Sequence, residues 1–153
     1  MARWLMREEP CEVFATANAA LPQVAAAHDV DTAILVLRFP SGASCLIDNS
    51  RRTTYGYDQR VEALGSTGML QARNHHASLV AVSTEQGVTA DVLSHSFPER
   101  YAAAYANMLD HFCDVVLKGV QPRVTRADCV AAFLISDAAT RSMASRTAVR
   151  IAP

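Results

Sequence analysis

The sequence has no Cys-x-x-Cys pair, no glycine-rich phosphate motif, no long apolar run and no surplus of charge. Each absence removes a class of function. The four cysteines stand apart at 11, 45, 113 and 129, so the spacing of a thiolate zinc site is missing. Cys113 and Cys129 fall in helical patterns, where cysteine serves as a small buried hydrophobe. The thiols are read as reduced and the chain as cytoplasmic. Neither G-x-G-x-x-G nor G-x-x-x-x-G-K-[ST] occurs, which leaves no signature for cradling a dinucleotide or nucleotide phosphate. Lys plus Arg is 14 and Asp plus Glu is 15, for a formal charge of -1. That balance argues against a nucleic-acid surface and against a polybasic membrane contact. No apolar run reaches the roughly 18 residues that span a bilayer. The start, MARWLMREEPCEV, lacks the apolar segment of a secretory signal.

What is present is enough for one packed domain. The chain has 153 residues, half of them hydrophobic and 19% charged, the range in which a core can be buried. MARWLM reads as one or two helical turns stopped by Glu8, Glu9 and Pro10. CEVFATAN is strand-like, and AALPQVAAAHD a loop with a helical turn. From Asp31 the pattern changes. TAILVLRF is a continuous apolar, β-branched run, Pro40-Ser41-Gly42 a turn, and ASCLIDNS a return strand, which together make a hairpin. Tyr57 to Leu64 reads as a further strand, closed by Gly65-Ser66-Thr67-Gly68, with MLQAR pairing back. SLVAVST and GVTADV form another pair around Glu85-Gln86-Gly87.

Helices return at Ser96. Ser96-Phe97-Pro98-Glu99 has the form of a capping box, and Pro98 is harmless in a first turn. Tyr101, Tyr105, Met108, Phe112 and Val115 recur at helical spacing, and Gly119 ends the run. Thr125 to Asp128 is a second cap, followed by the stripe Val130, Phe133, Leu134 and Ala138. TAVRIA is a short last strand. Strands and helices are segregated, so the class is α+β. The expected architecture is one open, mostly antiparallel sheet of about six strands with the two C-terminal helices on one face.

Few residues carry recognisable chemistry. His75 and His76 are adjacent, and on a strand they point to opposite faces, so they do not share a metal. The segment from Asp48 to Arg60 concentrates polar and aromatic groups. If Tyr55 and Tyr57 continue the strand, they share one face with Val61 and Ala63. Two such tyrosines make a flat, hydroxyl-rich wall suited to a polyol, which offers C–H faces and hydroxyls together. The same pattern also describes tyrosines that merely end a core with their hydroxyls in water.

IDNSRRTTYGYDQRVEALGSTGML resembles the inositol 2-dehydrogenases of the Gfo/Idh/MocA oxidoreductase family. The likeness extends through DTAILVLRFPSGA, through the long helix FPERYAAAYANMLDHFCDVVLKG and through QPRVTRADCVAAFLISDAATRSM. It departs at Met108, where the family has an acid, and at Ala144-Ser145-Arg146, where it has a glycine before the last strand. The resemblance implies the C-terminal domain of such an enzyme, with a sheet like that of the glyceraldehyde-3-phosphate dehydrogenase C-terminal domain. It implies that residues 1–153 are a single substrate-binding and oligomerisation domain. The family's Rossmann domain and its catalytic Lys, Asp and His are absent from this chain, leaving no catalytic, cofactor or metal residues to assign. By resemblance, Tyr55 and Tyr57 line the inositol pocket, with Arg51 and Asp58 as neighbours. NAD is the cofactor of the whole enzyme, which oxidises a ring hydroxyl of an inositol-like polyol to a ketone, and none is expected for this chain alone.

Two alternatives stand beside that reading: a truncated, non-catalytic assembly domain, or part of a related sugar dehydrogenase. Assembly follows from the strands themselves. In Thr32–Phe39, Ile34 and Val36 share one face, and Ala33, Leu35, Leu37 and Phe39 the other. Two helices shield only about four strands of one face, so the other face calls for a partner sheet. Self-association through the sheet is expected, centred on Leu35 and Leu37 or on Ile34 and Val36.

Overall fold

The computed structural model describes residues 1–152, which fall into two compact units: Met1–Arg52 together with 123–152, and Thr53–Pro122. In the first unit, α1 (Ala2–Met6) ends where Arg7 turns left-handed at φ 51°. Then come β1 (Glu12–Asn18), α2 (Pro22–Ala26), β2 (Thr32–Arg38) and β3 (Ser44–Ser50). In the second unit lie two hairpins, β4 (Val61–Gly65) with β5 (Gly68–Ala72) and β6 (Ala81–Thr84) with β7 (Gly87–Ala90). They are followed by α3 (Phe97–Arg100) and α4 (Ala102–Lys118). The chain then returns to the first unit with α5 (Arg126–Ser145) and β8 (Val149–Arg150).

The first unit is an open antiparallel sheet in the order β3-β2-β1-β8. Alternation decides its two faces. Val13 opposes Leu37 and Ala15 opposes Leu35, and these side chains turn toward α5. There they meet Ala138 and Ala139, whose small side chains let the helix approach closely, and with Phe39 they form the buried core. The opposite face carries Phe14, Ile34 and Leu46, which are 41%, 44% and 68% exposed.

Polar contacts fix this packing. The Thr125 hydroxyl accepts the Asp128 N–H, and the Asp128 carboxylate accepts the Thr125 N–H at 2.9 Å, a reciprocal cap for α5. Ser142 is fully buried. Its Oγ accepts the Ala15 N–H at 2.9 Å and donates to the Thr147 carbonyl at 2.6 Å. One hydroxyl thereby ties β1, α5 and the turn into β8. Buried Asp31 accepts the Leu21 N–H at 2.7 Å and the Thr32 hydroxyl at 3.0 Å. The Leu21 bond, ahead of the rest, holds its carboxyl below the usual carboxylate range.

The α+β class and the open antiparallel sheet agree with the sequence reading, but the sheet has four strands where about six were expected. The remaining four pair only within their own hairpins. The connecting segments explain this. Ser78 and Asp91 bond to nearby backbone and to each other, and such side-chain bonds compete with ladder pairing. Of the two C-terminal helices, α5 packs on the sheet, whereas α4 belongs to the second unit.

Three local expectations are corrected. The strand expected from Tyr57 begins only at Val61; Gly56 sits at φ 121° and residues before it turn, so the backbone leaves the extended path. The capping box at Ser96 does not close. Ser96 makes no side-chain cap, and Glu99 accepts the His95 N–H at 2.8 Å, one residue earlier. The long helix is interrupted at Tyr101, whose ψ of 14° divides α3 from α4. Gly119 ends α4 as expected, left-handed at φ 67°. The four cysteines are free, and no helix of the described residues is long and apolar enough to cross a membrane.

Candidate functional site

The segment between β3 and β4 carries the residues singled out from sequence, and it lacks regular secondary structure from 51 to 60. Its form is imposed at Gly56. A Cβ added there would lie 2.7 Å from the Leu93 Cβ and 3.2 Å from the Ser94 carbonyl oxygen. The Tyr57 N–H donates to that same Ser94 carbonyl at 2.8 Å. The tyrosine loop is thus pressed onto residues 93–94, and only glycine fits the crossing.

Tyr55 and Tyr57 therefore do not share a strand face. Tyr55 is exposed, and its hydroxyl donates to Asp58 Oδ2 at 2.5 Å. The ring of Tyr57 meets the edge of Tyr101, centroids 5.5 Å apart and planes at 83°, and Tyr101 meets Tyr105 in the same manner at 6.4 Å. Burial, and then the contact with the Tyr57 hydroxyl, push the Tyr101 phenol up. The Arg100 guanidinium carbon lies 5.7 Å from the Tyr101 centroid, a cation–π arrangement.

Asp58 is the hub. Its Oδ1 accepts Arg60 Nε at 2.8 Å and Asn74 Nδ2 at 2.6 Å, and its Oδ2 accepts Arg60 Nη2 at 2.9 Å besides the Tyr55 hydroxyl. The Arg60 guanidinium first, then Tyr55, hold its carboxyl down at about 2 in spite of desolvation. A carboxylate so fixed stays ionised at neutral pH and accepts only. It orients its neighbours and is unsuited to shuttling a proton.

Arg51 stands in the sheet unit. Its N–H donates to the Asp31 carbonyl at 2.8 Å and its guanidinium reaches Asp29 at 3.4 Å. Of the four residues named from sequence, the structure bonds Tyr55 to Asp58, sets Tyr57 against Tyr101, and places Arg51 in the other unit. Two open clefts of about 420 and 290 Å³ in the sheet unit include none of the four in their lining. Asn74 and Tyr101 were missed as members of this group. Tyr101 carried a signal, since it read as part of an apolar stripe; Asn74 carried none.

His76 Nδ1 donates to the Asp91 carbonyl at 2.5 Å, and His75 takes no part in that bond. Among the described residues, no group of three His, Cys, Asp or Glu side chains is placed to hold a metal ion. The glycines do not suit a dinucleotide either. Gly42, Gly65, Gly68 and Gly87 serve hairpin turns or strand ends, Gly56 the tyrosine loop and Gly119 a helix C-terminus. None opens a helix toward a phosphate.

Residues 1–71 match the family described as the GFO/IDH/MocA C-terminal domain. The myo-inositol 2-dehydrogenase of Thermotoga maritima is 41% identical over 152 residues, covering 99% of this chain and 46% of that protein. A crystal structure of a probable dehydrogenase from Thermotoga maritima superposes with a TM-score of 0.94 at 41% identity, over 98% of this chain and 45% of that one. The scyllo-inositol dehydrogenase of Lactobacillus casei, solved with bound NAD(H) and scyllo-inositol, gives a TM-score of 0.88 at 25% identity, over 99% and 45%. The chain spans a little under half the length of these relatives, and what it is similar to is the C-terminal domain of the GFO/IDH/MocA family.

Proposed function

We propose that these 153 residues form the substrate-facing and assembly domain of an NAD-dependent inositol 2-dehydrogenase-type oxidoreductase, which converts a ring hydroxyl of a cyclic polyol to a ketone. The observation that supports it is the tyrosine loop locked by Asp58, on a chain 41% identical to a myo-inositol 2-dehydrogenase. Tyr55 offers an exposed aromatic face beside an oriented hydroxyl, and Tyr57 and Asp58 brace the loop that carries it. Because Asp58 is an acceptor only, the Tyr55 proton is committed to it. Toward a polyol, the Tyr55 oxygen then accepts from a ring hydroxyl. In this reading NAD and the proton-transfer groups are held by residues outside this chain. The compartment proposed is the cytoplasm.

The exchange of this chain for the corresponding half of the Thermotoga maritima relative tests the reading. The hybrid should reduce NAD at the expense of myo-inositol, and Tyr55→Ala should lower its kcat/KM more than Tyr57→Phe, since it removes a stacking wall as well as a hydroxyl. A folded hybrid that oxidises no inositol overturns it. By itself the chain should show no NAD binding at micromolar concentration in calorimetry.

A second reading, a purely assembling domain, is favoured by the apolar sheet face of Phe14, Ile34 and Leu46. Both readings share that face as the site of self-association. Leu35 and Leu37 turn toward α5, so the proposed centre is Ile34 with Val36. Sedimentation of the wild-type chain should show a dimer or tetramer and Ile34→Asp a monomer.

A further inference from the structure

Asn74 lies just beyond β5, half-buried, and neither composition nor motif draws attention to it. Its side-chain amide makes two bonds of opposite sense. Nδ2 donates to Asp58 Oδ1 at 2.6 Å, while Oδ1 accepts the Gln59 N–H at 2.8 Å. These partners fix the orientation of the amide. Rotated by half a turn, it would set its oxygen against a carboxylate and its NH2 against an N–H. The same amide therefore grips a side chain and the backbone of consecutive residues in a segment with no strand or helix of its own. Tyr55 is bonded to the far oxygen of the gripped carboxylate. Arg60 also binds Asp58, and it is exposed and only two residues away in the chain. Asn74, 16 residues from Asp58, ties the loop to a separate element.

We propose that Asn74 is a positioning residue for Tyr55, acting through Asp58: it anchors the carboxylate to the end of β5, and the carboxylate then aims the phenol. Its meaning for a polyol rests on the functional reading above; its effect on Tyr55 does not. Two substitutions separate the two bonds. Asn74→Ala removes both. Asn74→Asp keeps an acceptor for the Gln59 N–H but turns a negative oxygen on Asp58, so only the grip on the carboxylate is lost.

The test uses the whole 153-residue chain labelled with 13C at the tyrosine Cζ. Four tyrosines give four lines, the Tyr55 line being assigned with Tyr55→Phe. Both Asn74 variants should shift the Tyr55 line and leave those of Tyr101 and Tyr105 in place, which also shows that the unit is folded. Titration with myo-inositol, followed on the same lines, should show about tenfold weaker binding for both, the scale of losing a hydrogen bond to a charged group. The proposal is overturned if the Tyr55 line does not move, or if Asn74→Asp restores the line and the affinity, for then Asn74 serves the backbone alone. If the Tyr55 line shifts in both variants while the wild-type chain binds no inositol, the positioning role stands and the polyol reading falls.

Discussion

Every fully buried side chain among the described residues lies in the sheet unit, and none lies between 53 and 122. The sheet unit is ordered by apolar packing: Val13, Ala15, Leu37 and Phe39 against Ala138 and Ala139, with one buried hydroxyl at Ser142. The other unit is ordered by directional bonds. Asp58 gathers Tyr55, Arg60 and Asn74, Gly56 is wedged on Leu93, and each hairpin pairs with itself. Its apolar groups stay outward. On α4, Tyr105, Met108, Leu109, Phe112 and Val116 are all exposed, although their spacing is that of a buried stripe. Hydrophobic periodicity thus reports that a face is made for burial; α4 leaves that face exposed, and on α5 the stripe is divided, with Ala138 buried and Phe133 71% exposed.

The contrast can be broken or sharpened by substitution. Leu37→Ala should have the largest effect. It empties a site only 1% exposed and should cost about 2–5 kcal/mol, read from the urea midpoint. Ser142→Ala comes next at about 1–3 kcal/mol, because the Ala15 N–H and Thr147 carbonyl lose their partner in the interior. Asp58→Asn should cost about 1 kcal/mol at pH 7, the exposure of Arg60 moderating the loss. That difference has a definite pH sense. The folded pKa, about 2, lies below the unfolded value of about 3.9, so the contribution is present above pH 4 and is lost as the pH falls through 2. Amide exchange at Gln59 and Val61 should therefore be faster in Asp58→Asn at neutral pH, the difference narrowing as the pH falls from 4 through 2. Phe112→Ser should change stability least, by about 0.5 kcal/mol or less, since the ring is 63% exposed. A loss above 1 kcal/mol in the urea midpoint would show that α4 is packed in solution, and the contrast between the units would fail.

What could be read from sequence follows the range of the interactions involved. The cap at Thr125 and Asp128 spans three residues and was legible. So were the β2–β3 hairpin, α5 and the αL glycine at 119, each announced by its own neighbours. The loss of strand character before Val61 was not, because its cause, the crossing at Leu93 and Ser94, lies more than thirty residues downstream in the chain. Glu99 is a near miss: the acid reaches back as expected but meets His95 in place of Ser96. Within the candidate site, the tyrosines were visible because of their chemistry, and Arg51 was named only by adjacency in sequence. The bond from Tyr55 to Asp58 is local and within reach of a sequence argument; the hold of Asn74 on the same carboxylate is not.

The close approach at Gly56 also bears on how freely this surface can be re-engineered. A library that randomises 55, 56 and 57 together would lose nearly all of its diversity at the middle codon, where any side chain meets Leu93 at 2.7 Å. Deep sequencing of the folded survivors should return glycine at 56 with broad substitution at the exposed neighbour, 55. New ligand preferences in this loop are therefore reachable one ring at a time, by exchanging what stands on either side of a hinge that has no room to change.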